Sequence, residues 1–317
     1  MSQPLFEVRE LKKYFHSGRT VTKAVDDVSF DIFPGEVLGV VGESGCGKTT
    51  CGRTVVGLYG KDGGQVLYKG RDVHALRGSE RAAFCRQVQT IFQDPYSSLD
   101  SKNHVCDLIA EGLDVQKLVS SKAERLERVK ELMNQVGLNQ SGLYRYPHEF
   151  SGGMRQRIGI ARALAVEPEF ILCDEPISAL DVSIQAQIIN LLMDLREQKG
   201  LTYLMISHDL SMVKHVSDRI VVMYLGKVVE TCPAAELYEN PAHPYTQALI
   251  SAIPIADPKI ERSRERVILT GQVPSPSDKP KGCAFAGRCR YATERCREEE
   301  PALREAASGH LAACHLV

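Results

Sequence analysis

Residues 42–49 read Gly42-Glu43-Ser44-Gly45-Cys46-Gly47-Lys48-Thr49, the pattern G-x-x-x-x-G-K-[ST], which restricts the fold more tightly than any other stretch of the chain. Such a loop works only between a strand and a helix. The apolar run Val37-Leu38-Gly39-Val40-Val41 supplies a buried strand before it, and Thr50 to Leu58 continues it as a helix. Glycines let the backbone curl around a polyphosphate, so that successive N–H groups and the helix N-terminus point at the anion. The cradle then runs from Gly42 through Ser44, Gly45, Cys46 and Gly47 to Thr50, with Lys48 reaching the terminal phosphates and Thr49 holding Mg²⁺. A Gly-rich turn that binds nothing fits the same letters, but the flanking elements favour a nucleotide. The backbone does the binding at Cys46, so its thiol is incidental and a candidate target for alkylation.

At 317 residues the chain has room for one large domain or for a nucleotide-binding domain with an appendage. Lys plus Arg number 39 against 40 Asp plus Glu, a balance that leaves no electrostatic footprint for nucleic acid. The start Met1-Ser2-Gln3-Pro4-Leu5-Phe6-Glu7 lacks the charged start and apolar core of a secretion signal. No apolar run approaches the roughly 18 to 20 residues of a membrane helix. The expectation is a cytoplasmic protein able to dock on a membrane partner. Ten cysteines in a reducing compartment point to metal ligation or buried thiols rather than disulfides.

Ahead of the loop, Phe6-Glu7-Val8-Arg9, Lys23-Ala24-Val25 and Val28-Ser29-Phe30-Asp31-Ile32 read as strands with turns between them. Phe15 is placed to stack on a base, with Tyr14 the neighbouring candidate, although a core or surface aromatic suits the same position. Beyond the loop, Gln65–Tyr68 with the turn Lys69-Gly70 predicts a hairpin, and Val88–Phe92 a strand ending at Gln93. From about Ser97 to Pro147 the composition turns helical and charged. There Ser121 and Glu124 form a capping-box pair ahead of a helix with Leu126, Val129, Met133 and Val136 on one face.

Ser151-Gly152-Gly153 then opens a further helix with Ser151 as N-cap, either a second anion-binding helix start or a plain turn. If both starts serve one nucleotide, the second copy comes from another molecule. Phe170–Cys173 is an apolar strand ending in two carboxylates. Asp174 stands where a residue orients Mg²⁺ and Glu175 where a general base meets water, in place of a merely solvated pair. His208, after the strand Tyr203–Ile206, suits contact with a γ-phosphate or an ordinary polar strand end.

Taken in series, these residues resemble the ATP-binding subunits of ABC transporters. Gly42 to Thr49 looks like Walker A, Gln93 the Q-loop, Ser151-Gly152-Gly153-Met154-Arg155 the signature, Asp174 and Glu175 Walker B with the catalytic glutamate, Ser178–Asp181 the D-loop, and His208 the H-loop. Met154 stands where many relatives carry glutamine, which leaves Ser151 and the glycine backbone in place. The resemblance implies an α/β fold: a P-loop NTPase core sheet with an N-terminal antiparallel β-subdomain and a helical subdomain near 97–165, all within residues 1–235. It implies catalytic roles for Lys48, Gln93, Glu175 and His208, with Gln93 also a Mg²⁺ contact, and makes Phe15 the base-stacking ring. The tail from Asn240 to Leu249 with Pro274, Pro276 and Pro280 looks like the C-terminal extension, here 236–317, of oligopeptide and dipeptide importer ATPases.

That kinship implies a peripheral ATPase on the cytoplasmic face of the membrane, paired with a paralogous ATPase subunit, two transmembrane permeases and an extracytoplasmic peptide-binding protein. Nickel and glutathione importers share the extension, so the solute stays open. A soluble ABC ATPase acting on nucleic acid would need a coiled-coil insertion or tandem cassettes, and a kinase would lack the signature. Cys283, Cys289, Cys296 and Cys314, spaced C-x₅-C-x₆-C-x₁₇-C among arginines, would furnish four thiolates to an iron–sulfur cluster or to zinc, or remain free thiols. Close C-x₂₋₄-C zinc pairs are absent, and the resemblance implies a family in which some relatives carry a 4Fe-4S cluster here, so the cluster is the expectation and zinc the alternative.

Overall fold

The computed structural model describes residues 3–254, 257, 259 and 266–317, so Met1 and Ser2 of the stretch read for a secretion signal lie outside it. Its contacts sort the chain into two units: Met1–Ile32, Val37–His74 and Ser207–Val317 form the first, Phe33–Glu36 and Ala75–Ile206 the second.

The first unit opens with an antiparallel sheet in the order Thr20–Ile32, Phe6–Ser17, Gly63–Tyr68, Arg71–Asp72. Where the sequence suggested several short strands, one long hairpin forms. The breaks in apolar alternation that read as turns are bulges, with Glu10 (φ 48°) and Asp27 (φ 67°) in the left-handed region and the pairing register slipping between Val8 and Leu11. Each bulge changes which residues face inward, so Phe6, Val8 and Leu11 are all buried despite their uneven spacing. The expected turn at Lys69-Gly70 has φ 50° and 76°, the paired positive values of a type I′ hairpin.

The same unit holds the strand Val37–Val41, buried at every residue and parallel to Arg219–Tyr224. Arg219–Tyr224 turns back antiparallel onto Lys227–Pro233, and that strand carries the C-terminal hairpin His310–Ala312 and Arg304–Ala307 along its far side. The helix after the phosphate loop spans Lys48–Val55, shorter than the stretch to Leu58, because Leu58 N–H turns back to the Arg53 carbonyl (2.8 Å) and closes it.

The second unit has three parallel strands, Val88–Ile91, Phe170–Asp174 and Thr202–Ile206, in that order. Helices Val105–Val115, Lys122–Gln135 and Gly152–Leu164 pack together over Leu108, Ile109, Val129, Met133 and Ile158. Ser121 caps its helix, accepting from Glu124 N–H (3.2 Å). The Glu124 carboxylate returns one residue earlier than a capping box requires, accepting from the N–H and hydroxyl of Ser120.

Candidate active site

In the phosphate loop, Gly42 and Gly47 are places where only glycine fits. A Cβ on Gly42 would lie 2.2 Å from the Met223 carbonyl oxygen, and one on Gly47, at φ 102°, would lie 2.1 Å from that of Ala24. Gly47 is also the N-cap of the helix. Lys48 is buried, its ammonium folded back onto the carbonyls of Gly42 (2.8 Å) and Glu43 (3.0 Å). Those two acceptors hold the cation inside the loop, where it is poised for anionic oxygen. Ser44 and Gly45 are exposed, and Thr49 and Thr50 half-buried.

Cys46 is 6 % exposed and burial pushes its thiol up, against the pull of Lys48. A protonated, enclosed thiol is a poor nucleophile, so the expectation of alkylation is corrected. Brief iodoacetamide treatment of the native protein should leave Cys46 unlabelled in peptide mass spectrometry, whereas half-buried Cys85 should react.

Phe15 is 42 % exposed, edge-on to Tyr59 with centroids 5.9 Å apart. The hydroxyl of Tyr14, the neighbouring candidate, donates to Asp26 (2.6 Å). Burial and that bond push its phenol up. His208 is exposed, just after Ser207 N–H donates to the Val40 carbonyl (3.1 Å), and Asp209 caps the helix Leu210–Val216.

In the second unit, Asp174 ends its strand fully buried, and Glu175 follows at φ 46° with its N–H tied to the Ile206 carbonyl (3.0 Å). Its carboxylate accepts from Gln93 Nε2 (3.0 Å), joining two site residues 82 positions apart. Gln185 Nε2 donates to the carbonyls of Ile177 (3.2 Å) and Leu180 (2.9 Å), pinning Ser178–Asp181. Ser151 caps the helix Gly152–Leu164, accepting from Met154 N–H (3.4 Å). Gly153 packs so closely on Ile184 that a Cβ there would sit 2.4 Å away.

The four tail cysteines converge. Cys283, Cys289, Cys296 and Cys314 line one cavity with His243 and Phe285, and Cys283 N–H donates to the Cys296 carbonyl (2.7 Å). Burial pushes the Cys283 thiol up to about 11. Among the described residues, the trio whose ligand atoms lie within 4.8 Å of one another is instead Glu230, Cys232 and His310. There the Glu230 oxygens already accept from Ala242 N–H (2.7 Å) and His243 N–H (3.0 Å) and pair with His310 Nε2 (2.6 Å), so this trio is a structural knot.

Residues 25–178 match the family model of the ABC transporter, and 229–296 that of the oligopeptide/dipeptide transporter, C-terminal region. The chain is 54% identical over 314 residues to the putative oligopeptide transport ATP-binding protein YkfD of Bacillus subtilis (strain 168), covering 99% of this chain and 95% of that protein. The chain belongs to the ABC transporter ATPases. This ABC ATPase is also 60% identical over 267 residues to the oligopeptide transport ATP-binding protein OppF of the same organism, spanning 84% of this chain and 88% of that one. Among solved structures it overlays the ATP-binding cassette MJ0796, a dimeric structure of a post-hydrolysis state bound to ADP and Pi, at 27% identity and a TM-score of 0.67, covering 72% of this chain and 98% of that one. As an ABC ATPase it binds ATP with Mg²⁺.

Sequence reasoning placed Arg155 and Glu43 inside motifs of this ABC ATPase but missed the partners that hold them. Arg155 of the signature donates to the carbonyls of Pro147 (2.7 Å) and His148 (3.1 Å) and lies 3.7 Å above the Tyr96 ring, near the Q-loop. Glu43 is held by two residues of the distant tail: its N–H donates to Tyr245 Oη (2.8 Å), and its carboxylate takes a two-pronged contact from Arg288 (2.7 and 3.0 Å). Partners 202 and 245 positions away leave no local trace in the sequence.

Proposed function

We propose that this chain hydrolyses ATP to drive uptake of oligopeptides or dipeptides through a membrane transporter, as one of two nucleotide-binding subunits that close head to tail over two ATPs. What carries the reading is the similarity, at 54% and 60% identity over 99% and 84% of this chain, to proteins named for oligopeptide transport, together with the matching C-terminal region. In this assembly Phe15 stacks on the base, worth about 1 kcal/mol. The loop from Gly42 to Thr50 cradles the phosphates with Lys48. Ser151, Gly152 and Gly153 of the opposing subunit close over the γ-phosphate. Thr49, Gln93 and Asp174 are the residues that would hold Mg²⁺, which supplies neutralising charge across the phosphates. Glu175 takes the proton of the attacking water and His208 orients it. The Gln93–Glu175 hydrogen bond opens for this, so Gln93 releases the base as it passes closure toward the permeases.

The remaining partners in this proposal are a paralogous ATPase as the second half of the dimer, two transmembrane permeases and an extracytoplasmic peptide-binding protein. The catalytic domain is residues 1–235 and the extension 236–317, at the cytoplasmic face of the membrane. Among the described residues no helix is long and apolar enough to cross a membrane.

Cys283, Cys289, Cys296 and Cys314 would hold a 4Fe-4S cluster, whose contribution is a covalent tie for a segment with little apolar core of its own. The shared cavity supports four ligands to one centre.

The function is tested by uptake of labelled peptides of two to five residues, alongside nickel and glutathione, in cells carrying the wild type or Glu175→Gln. Loss of peptide uptake alone is the expected result. Continued peptide entry with loss of nickel or glutathione would transfer the assignment to those solutes.

A further inference from the structure

We propose that Arg288 and Tyr245 of the C-terminal segment are positioning residues of the ATP site: they fix Glu43 in the phosphate loop, and Arg288 cancels a carboxylate that would otherwise repel the phosphates. The inference rests on reading residues 42–49 as the ATP loop.

Glu43 is an odd side chain for an anion cradle. Its charge sits one residue from Gly42, in a loop whose N–H groups and Lys48 are arranged to attract phosphate. The structure answers that charge with the Arg288 guanidinium, whose side chain is only 8 % exposed and whose two nitrogens meet both carboxylate oxygens. A bidentate pair of this kind fixes direction as well as charge. The backbone of Glu43 is held at the same time. Its N–H donates to Tyr245 Oη, and its carbonyl accepts from the Lys48 ammonium, so moving Glu43 moves the acceptor that places Lys48.

Tyr245 sits in a packed aromatic cluster. Tyr224, Tyr245 and Phe285 are fully or almost fully buried and pack in mutual contact with centroids 4.7 to 5.4 Å apart. Arg288 reaches Tyr224 Oη as well (3.5 Å) and stands beside Cys289 of the cysteine cavity. Val273–Pro276 line one cleft with Ser44, Gly45 and Cys46. The tail is thus part of the scaffold that shapes the loop.

The test is Mg²⁺-ATP binding to the full-length chain by titration calorimetry, with thermal unfolding followed in parallel. Arg288→Gln should weaken binding about tenfold, the scale of coupling within one network. Glu43→Gln/Arg288→Gln, which removes the orphaned carboxylate, should recover to within about threefold of wild type. A purely architectural role lowers unfolding temperature without that recovery. Should Arg288→Gln fail to fold, Arg288→Lys keeps the charge and loses the fork, and should bind about threefold more weakly than wild type. Wild-type affinity in Arg288→Gln, or in Arg288→Lys where only that variant folds, overturns the proposal, as does a double variant no better than the single one. Undiminished binding by Lys48→Ala would instead overturn the reading of the loop.

Discussion

Glu175→Gln is expected to slow ATP hydrolysis by about 10² to 10⁴ while leaving ATP affinity nearly unchanged. The substitution is almost isosteric, and the new amide oxygen still accepts from Gln93, so the strand end at Asp174 and the tie of residue 175 N–H to the Ile206 carbonyl are undisturbed. What disappears is a carboxylate able to accept a proton from water. Single-turnover hydrolysis of Mg²⁺-ATP, set beside equilibrium binding, separates the two effects. Turnover equal to wild type would take the base role away from Glu175, and equal losses of binding and turnover would point to a folding defect.

The second large effect follows from the proposed 4Fe-4S site in the tail: wild-type protein purified without oxygen should carry iron and Cys283→Ser should lose nearly all of it, as read by elemental analysis and visible absorption. Cys283 lines the cavity with the other three cysteines, and its N–H bonds to the Cys296 carbonyl. In the proposed cluster, exchanging a thiolate for a hydroxyl would remove one of four ligands. Cys85→Ser, outside the cavity, should keep its iron. Full iron retention in Cys283→Ser would exclude this set of ligands, and stoichiometric zinc in the wild type would replace the cluster with a mononuclear site.

Much of the catalytic half is legible because its motifs are local. The strand Val37–Val41, the loop and its helix lie within twenty residues, and each carries its own signal in apolar runs and glycines. The same holds for Ser151 as a cap and for Asp174 at the end of an apolar strand. The N-terminal hairpin misled because bulges at Glu10 and Asp27 interrupt alternation as turns do, without ending the strands. Cys46 misled because its neighbours in sequence are small and polar, while its burial comes from the folded loop. Gln93 with Glu175, Arg288 with Glu43, and Glu230 with His310 are long-range pairs, and a polar letter by itself does not name its partner. Pairing of this sort is decided by topology.

The C-terminal hairpin has a consequence for the order in which the protein can be made. Strand Lys227–Pro233 leaves the ribosome with an open edge, and its buried Glu230 waits for a histidine that follows 80 residues later. At roughly 5 to 20 residues per second that interval lasts roughly 4 to 16 s. Through it the strand is paired on one side only, against Arg219–Tyr224, and its carboxylate lacks one of its partners, an open edge of the kind that templates pairing with another chain. Chains that stop before His310 lack both the strand that covers that edge and the imidazole that pairs with Glu230.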